Sequence, residues 1–522
     1  PRSWKSFATR SDALLTTLAF PSTRAAFRTA EQQAGELTRF ARKMPSRLAR
    51  RGDDSGHAGT TTRLAFDLGI AEWLVARHPD HVEIDWHDAS VGDALDELLR
   101  PTIRRTEEDG FDSDALTLRA WVRAARGNAW RSDLAWLLDA LRDTGDSLPR
   151  RAAEWERAAL PIVWKLGAAG VLHARMEVGS PVLRTSFRVP PARPARTITT
   201  PLRAIRLLPA ARADRIIEVA RETLAVRCRE VHAISYANRE EVWLADLGKG
   251  TSIAIIGVLP ALRLSLEANY GFMLFSNGVP VGYGGVSPLF RQANTGINIF
   301  APFRGTEAGM LWVRALQAFR TLFRVDRFIA NPFQIGGGNT EALKSGAFWF
   351  YHRLGFRPSD PALAALADAE LAQRQRDRSH RSPMATLKRL AGADLVLTLP
   401  GHDPRDAFDE RWLGEISVRA TKQLAAEGGV SRRTAYRRVA ERIAATLGAD
   451  RRTWSHDERE AFEHLAPIAA VIPDLGRWSR GDRRALLRIM RAKGGTRERD
   501  YVLGNVSAPR FLSLLARQCS PR

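Results

Sequence analysis

The sequence predicts an α/β protein in which a β-sheet core lies between two mainly helical regions. Apolar residues recur at spacings of three and four through residues 1–187, as amphipathic helices require. Strand signals replace this pattern from Val231 onward, and the helical pattern returns from Asp360. These changes predict a core over residues 212–360 and a second helical region over residues 361–522.

The first helical region contains two clear apolar stripes. They are Leu116, Leu118, Trp121 and Val122, followed by Leu134, Leu137, Leu138 and Leu141. Ser, Thr, Asp and Asn accept hydrogen bonds from the free N–H groups of a first helical turn. We therefore expect Asp112 or Ser113 to cap the first helix and Ser132 to cap the second.

Length and composition exclude several classes of protein. A chain of 522 residues exceeds one ordinary hydrophobic core, so two to four domains are expected. The longest apolar candidate for a membrane span, residues 252–266, is broken by Pro260 and Arg263, so we expect no membrane span. Two cysteines, Cys228 and Cys519, are too few for a disulfide framework or a four-cysteine zinc site. A cytoplasmic location is the resulting expectation.

The chain is strongly basic, with a formal net charge of +21. Such a charge attracts polyanions, including nucleic acid, anionic lipid and phosphate-bearing ligands. The excess is carried by 71 arginines against 8 lysines, a bias that a high-GC genome produces without functional pressure. A generally basic, solvated surface therefore explains the composition as well as a polyanion partner does.

Residues 188–211 are predicted to be a linker. The segment is rich in proline and arginine and begins Arg-Val-Pro-Pro-Ala-Arg-Pro-Ala-Arg. Prolines this dense cannot continue a helix and cannot pair in a sheet ladder. We expect the segment to be exposed and poorly packed.

Three successive strands are predicted at the start of the central segment. Residues 270–275 are apolar, Asn277 and Gly278 are a strong two-residue hairpin signal, and residues 279–286 continue as a Gly-rich strand. Residues 296–300 form a short third strand.

A helix, a fourth strand and a second helix follow. The first helix begins near Thr306, and one of its faces is apolar. That face consists of Trp312, Leu316, Phe319 and Phe323. Residues 325–330 are predicted to be the fourth strand, and the Gly-rich residues 336–338 lead to a helix that ends at Leu354, before Gly355.

The loop between the third strand and the first of these helices has the features of a phosphate site. The free N–H groups of a first helical turn point at a bound anion, and the helix dipole favours negative charge there. Arg304 adds a cation that can contact phosphate oxygens with two hydrogen bonds. Arg-Gly before a helix is also common in ordinary loops, which is the alternative interpretation.

This order of elements resembles that of the GNAT superfamily of acyl-CoA-dependent acyltransferases, over residues 212–358. Its most specific part is the motif that runs from Tyr351 to Gly355 and Phe356, with Ala347 four residues before the tyrosine. The resemblance implies a GNAT-like mixed β-sheet core. It further implies that acetyl-CoA or another acyl-CoA is the cofactor and that an amine, which the sequence does not identify, is the acceptor.

The resemblance also implies roles for individual residues. The amine would attack the thioester carbonyl directly, while backbone N–H groups of the strand ending at Phe300 orient the cofactor. Tyr351 would be the general acid that protonates the departing thiolate; the alternative is that it merely packs beside Phe348 and Phe350. The residues expected at the cofactor are Ile299, Phe300, Arg304, Gly305, Thr306, Glu307, Ala308 and Gly309.

Two positions depart from the family pattern. Glu307 stands where the loop usually has its middle glycine, and Lys344 replaces a frequent asparagine, with Asn339 lying earlier. A carboxylate beside a pyrophosphate is unfavourable, so we expect Glu307 to turn outward and help to cap the helix. Glu307 and His352 are the candidates for the general base, with a water relay as the alternative.

Two further motifs lie outside the core. Residues 415–447 resemble a helix-turn-helix whose second helix, through residues 431–442, would contact nucleic acid; an ordinary pair of helices is the alternative. A nucleic-acid-binding protein with a degenerate core is accordingly the alternative function. In residues 81–87, strand alternation would place His81, Glu83, Asp85 and His87 on one side. A polar edge strand explains that pattern more simply than a metal site, and no metal is expected.

Overall fold

The computed structural model describes residues 3–113, 115–508, 511 and 515. Cys519 lies outside these residues. The contacts divide the chain into two units. The first unit contains residues 1–185, 211–237 and 275–281, and the second contains residues 186–210, 238–274 and 282–522.

The first unit begins with helices that alternate with short strands. These helices are α1 (Trp4–Ala19), α2 (Arg24–Arg42), α3 (Ser46–Ala49), α4 (Leu68–Arg77), α5 (Val91–Leu99), α6 (Arg105–Phe111), α7 (Leu118–Arg126), α8 (Asp133–Asp143) and α9 (Leu148–Ala158). The strands are β1 (Thr61–Leu64), β2 (Val82–Ile84) and β3 (Ile162–Lys165). They pair antiparallel in the order β1-β3-β2.

The predicted helices of this unit are present, with one difference in capping. Ser132 caps α8 as expected, because its side chain accepts a hydrogen bond from Ala135 N. The apolar stripe of α8 is buried, as the spacing predicts. At α7 the cap is Thr117, and the expected caps Asp112 and Ser113 lie too early in the chain.

The segment that was predicted to be a linker contains secondary structure of the second unit. It forms α10 (Pro194–Thr199) and β4 (Ile205–Leu207), and β4 pairs antiparallel with β5 (Ala237–Gly248). The predicted linker therefore contains two elements that were not expected, and Ile205–Leu207 forms an edge strand of the sheet. The first unit resumes with α11 (Ala210–Ala225) and α12 (His232–Ser235).

The second unit is built on a large mixed sheet, which establishes an α/β fold. Its remaining strands are β6 (Thr251–Val258), β7 (Tyr270–Ser276), β8 (Val279–Leu289), β9 (Gln292–Ile299), β10 (Arg327–Ala330), β11 (Arg357–Pro358) and β12 (Leu395–Thr398). The order within the described residues is β11-β12-β10-β9-β8-β7-β6-β5-β4. The β9/β10 pair is parallel, whereas β8/β9, β10/β12 and β11/β12 are antiparallel.

The helices of the second unit lie mainly after β9. They are α13 (Ala308–Phe323), α14 (Pro332–Ile335), α15 (Thr340–Ser345), α16 (Ala347–Arg353), α17 (Pro361–Arg376), α18 (Met384–Leu390), α19 (Arg411–Ala425), α20 (Arg432–Leu447), α21 (His456–Ala470), α22 (Arg480–Lys493) and α23 (Glu498–Val506). Short 3₁₀ turns occur at Arg50–Gly52, Pro260–Leu262, Ala301–Phe303, Pro404–Asp406 and Leu475–Arg477. Among the described residues, no helix is both long and apolar enough to cross a membrane.

Two features of the core segment were predicted correctly from the sequence, and one was not. The hairpin turn has positive φ at Asn277 (44°) and Gly278 (76°), as a type I′ turn requires. The apolar face of α13 is fully buried, and Trp312 on this face contacts Phe272 of β7. The single helix expected to end at Leu354 is instead two, α15 and α16, because Gly346 between them adopts a φ of 71°.

Strand β9 extends beyond its parallel partner. It pairs with β10 only from Gln292↔Arg327 to Asn294↔Ile329. Residues 295–299 continue the antiparallel ladder with β8 on the opposite edge. The end of β9 therefore faces space that β10 does not fill.

A buried carboxylate fixes the start of α23. Glu241 on β5 is fully buried and accepts hydrogen bonds from the backbone N–H groups of Glu498 (2.8 Å) and Arg499 (2.9 Å). The hydroxyl of Tyr270 donates a further bond to it (2.9 Å). Glu241 thus satisfies donors of the first turn of α23 that have no partner within the helix.

Candidate functional site

A pocket of about 170 Å³ lies in the second unit at the end of β9. Strand residues 297–299 form one part of its wall. The loop before α13 contributes Arg304, the first turn of α13 contributes Ala308, and α16 contributes Tyr351. The structure therefore brings together the strand end, the loop cation and the tyrosine that the sequence singled out.

Tyr351 is held in one position by its surroundings. Its ring is almost completely buried and makes edge contacts with Trp312 and Phe356. Its hydroxyl oxygen accepts a hydrogen bond from the backbone N–H of Ile297 (3.1 Å). Burial raises the pKa of Tyr351, and the bond from Ile297 opposes that shift. The phenol therefore keeps its proton at neutral pH, while the Ile297 N–H stabilises the phenolate that forms when the proton leaves.

Arg304 lies at the pocket and is paired there with Glu341. Its Nη2 lies 2.6 Å from Glu341 Oε1, and its Nε donates to the carbonyl oxygen of Ile299 (3.2 Å). Both side chains are about half exposed, 49% for Arg304 and 56% for Glu341. Exposed ion pairs contribute about 0–1 kcal/mol, so an anionic ligand can replace Glu341 at low cost.

The loop before α13 presents unused backbone donors. The helix begins at Ala308, later than the expected start near Thr306. The Thr306 N–H bonds to Phe303 O (3.1 Å), whereas in the described part of the chain the N–H groups of Gly305, Ala308 and Gly309 have no acceptor. Free N–H groups at a helix start bind anions. As expected, the N–H groups of Gly305, Ala308 and Gly309 are available to an anion. The N–H group of Thr306 is not.

The expectation that Glu307 turns outward is wrong. Its side chain is fully buried and makes no capping bond to α13. It is paired with Arg188, which donates from its Nη2 (2.7 Å), its Nε (2.8 Å) and its backbone N (3.0 Å). Arg188 also donates to Thr251 Oγ1 (3.0 Å). Because a partner 119 residues away compensates the carboxylate, the helix start need not do so.

Ile299 lines the pocket, as predicted, but several other predicted residues lie away from it. Among them is Phe300, whose buried side chain stacks on Tyr283. Of the two candidate bases, neither Glu307 nor His352 lines it. Burial lowers the pKa of His352 to about 4, and its ring stacks on Phe348.

One polar residue that lines the pocket was not predicted from the sequence. Gln334 of α14 lines the pocket, and its side-chain amide has no hydrogen-bond partner among the described residues. It lies against Gly296 of β9, where an added Cβ would come within 2.1 Å of Gln334 Oε1. A glycine within a strand often marks such a close approach, and Gly296 was the available signal.

The two motifs outside the core have different structures from those expected. Only Glu83 of the four polar residues in 81–87 lies in the strand, and its carboxylate accepts the N–H groups of Asp133 and Leu134 at the start of α8. No cluster of possible metal ligands occurs among the residues that the structure describes. The segment 415–447 forms two helices, but residues 426–431 separate them, which is longer than a helix-turn-helix turn of three or four residues.

Comparison of the chain with protein-family models, curated proteins and solved structures finds no match.

Proposed function

We propose that the chain is an acyl-CoA-dependent N-acyltransferase with a GNAT-like core. The observation that carries the proposal is the pocket at the end of β9, where this strand extends beyond β10. It combines Arg304 and the free N–H group of Ala308 with the buried hydroxyl of Tyr351. This combination provides anion donors and a proton donor at one site, as acyl transfer from a phosphate-bearing thioester requires.

The residues present fit the phosphates of coenzyme A in charge, and the pocket fits its thioester arm in size. Arg304, with the N–H groups of Gly305, Ala308 and Gly309, would hold phosphate oxygens. The pocket is smaller than the ~300 Å³ typical of sites that enclose a whole ligand, so it would take the thioester arm and leave the nucleotide end outside. Acetyl-CoA is the expected donor, and the cofactor supplies an activated acyl carbonyl.

The chain's own residues then position and protonate the reacting groups. In an antiparallel ladder, alternate residues direct their N–H groups to the same side. Since Ile297 donates away from β8 to Tyr351, Ile299 directs its N–H to the same open edge, where it can orient an acyl group. Tyr351 donates its proton to the leaving sulfur as the C–S bond breaks, and the Ile297 N–H stabilises the resulting phenolate. The proton that the amine loses as the new C–N bond forms returns to this phenolate, so the tyrosine is regenerated and the cofactor leaves as the free thiol.

The proposal is tested by measuring thiol release from acetyl-CoA in the presence of a defined mixture of amines. General acid catalysis contributes about 10²–10⁴-fold to rate, so Tyr351→Phe should lower kcat at least about 100-fold and leave the affinity for coenzyme A unchanged. Tyr436→Phe, in α20, is the matched control and should retain full activity. Full turnover by Tyr351→Phe would remove the assigned role of the tyrosine.

A further inference from the structure

Helix α20 presents arginines on its exposed side. Arg432, Arg433, Arg437 and Arg438 are all exposed and lie in the first two turns of the helix. We call these four residues the α20 basic surface. The same end of the helix carries the positive pole of the helix dipole.

Most of this positive charge is not neutralised by the protein. Within the described residues, Arg433, Arg437 and Arg438 form no ion pair, while Arg432 lies over the ring of Tyr436. Three neighbouring arginines of the same helical region, by contrast, are paired with carboxylates. These pairs are Arg442–Glu427 (2.5 Å), Arg452–Asp450 (2.7 Å) and Arg491–Glu458 (2.8 Å). The α20 basic surface is therefore available to an external anion.

The apolar side of α20 is already occupied. Ala435, Val439, Ile443 and Leu447 are buried, and α20 packs against α19 and α21. An amphipathic helix that lies in a membrane surface inserts an exposed apolar face into the lipid. Because α20 has no such face to offer, its arginines fit a soluble polyanion better than a bilayer.

We propose that the α20 basic surface binds duplex DNA at the major groove, where its arginines contact the phosphates on the groove edges. The major groove of B-form DNA admits an α-helix, whereas the major groove of double-stranded RNA is too narrow for side chains to read. Arginine guanidinium groups suit phosphate oxygens because they can donate two parallel hydrogen bonds. Phosphate contacts carry no sequence information, so binding is expected without strong sequence preference.

Fluorescence anisotropy with a labelled 20-base-pair duplex tests this inference on the full chain. Counterion release makes log K fall linearly with log salt, with a slope of about −0.9 per phosphate contact. We expect binding at low salt that weakens steeply as the salt concentration rises. Absence of binding at about 50 mM salt would overturn the proposal.

Matched triple variants separate the surface from general charge. R433Q/R437Q/R438Q should make the salt slope shallower by about 2.7 and weaken binding at low salt at least about tenfold, if each arginine contacts one phosphate. The control R24Q/R28Q/R39Q removes three exposed arginines of α2 that form no ion pair in the described chain. It should leave the slope nearly unchanged. Equal effects of the two triple variants would overturn the proposal.

Two further measurements keep the test decisive. Glutamine is a good helix former, and circular dichroism should show that both variants retain the wild-type helix content. Vesicles that contain anionic lipid should bind the wild type more weakly than DNA does. Loss of vesicle binding without loss of DNA binding in R433Q/R437Q/R438Q would also overturn the proposal.

Discussion

Removing Arg188 should destabilise the second unit, because it takes away a cation that pairs with the buried carboxylate of Glu307. Arg188→Ala removes the bonds from Nη2 and Nε and retains the bond from the backbone N–H at 3.0 Å. Breaking a buried ion pair by deleting one partner costs about 3–5 kcal/mol. Since the Arg188 side chain is 21% exposed, we expect the lower end, about 3 kcal/mol.

A matched series distinguishes the stranded charge from lost packing. Glu307→Gln keeps an acceptor for the Arg188 backbone N–H, and Arg188 retains its bond to Thr251, so we expect a smaller loss of about 1–2 kcal/mol. The double variant R188A/E307Q lacks both charges of this ion pair. It should therefore be less destabilised than the sum of the two single variants by about 2 kcal/mol.

Urea unfolding followed by circular dichroism gives the free energies of unfolding. Hydrogen exchange of peptides from α13 locates the opening, since a chain of two units need not unfold in one step. Wild-type stability of Arg188→Ala, or strictly additive effects in the double variant, would refute the reasoning.

Two other predictions concern charge. Glu341→Gln releases Arg304 from an exposed pair worth about 0–1 kcal/mol, so calorimetry should show coenzyme A binding up to about fivefold more tightly; weaker binding would contradict this. Burial raises the pKa of Glu241 to about 7 from its ordinary 4.5, so the folded chain holds this proton over a range in which the unfolded chain has lost it. Stability should therefore fall by on the order of 3 kcal/mol as the pH rises from 4.5 to 7, and Glu241→Gln should lack that component of the slope in urea titrations; equal slopes would contradict the assignment.

Local signals in the sequence predict local structure well. The Asn277-Gly278 turn and the apolar face of α13 depend on residues that are close together in the chain, and both are present. The pocket residues Arg304 and Tyr351 were also singled out, because their motifs lie at the ends of predicted elements.

Features that depend on distant partners could not be predicted. The outward orientation expected of Glu307 did not take account of Arg188, which lies in the segment that its proline content predicted to be a linker. Strand β12, from the region expected to be mainly helical, inserts between β10 and β11. Pairing between segments far apart in the chain leaves no local pattern in either segment.

Calorimetric titration of the wild-type chain with coenzyme A tests the central claim most directly. We expect binding with a 1:1 stoichiometry that Arg304→Ala weakens about tenfold to a hundredfold, because a charge-assisted hydrogen bond contributes about 1.5–3 kcal/mol. Lys344→Ala is the matched control, since Lys344 is exposed on α15 but does not line the pocket, and it should bind as the wild type does. No binding by the wild type at near-millimolar coenzyme A, or equal losses in the two variants, would contradict the assignment of this pocket to an acyl-CoA.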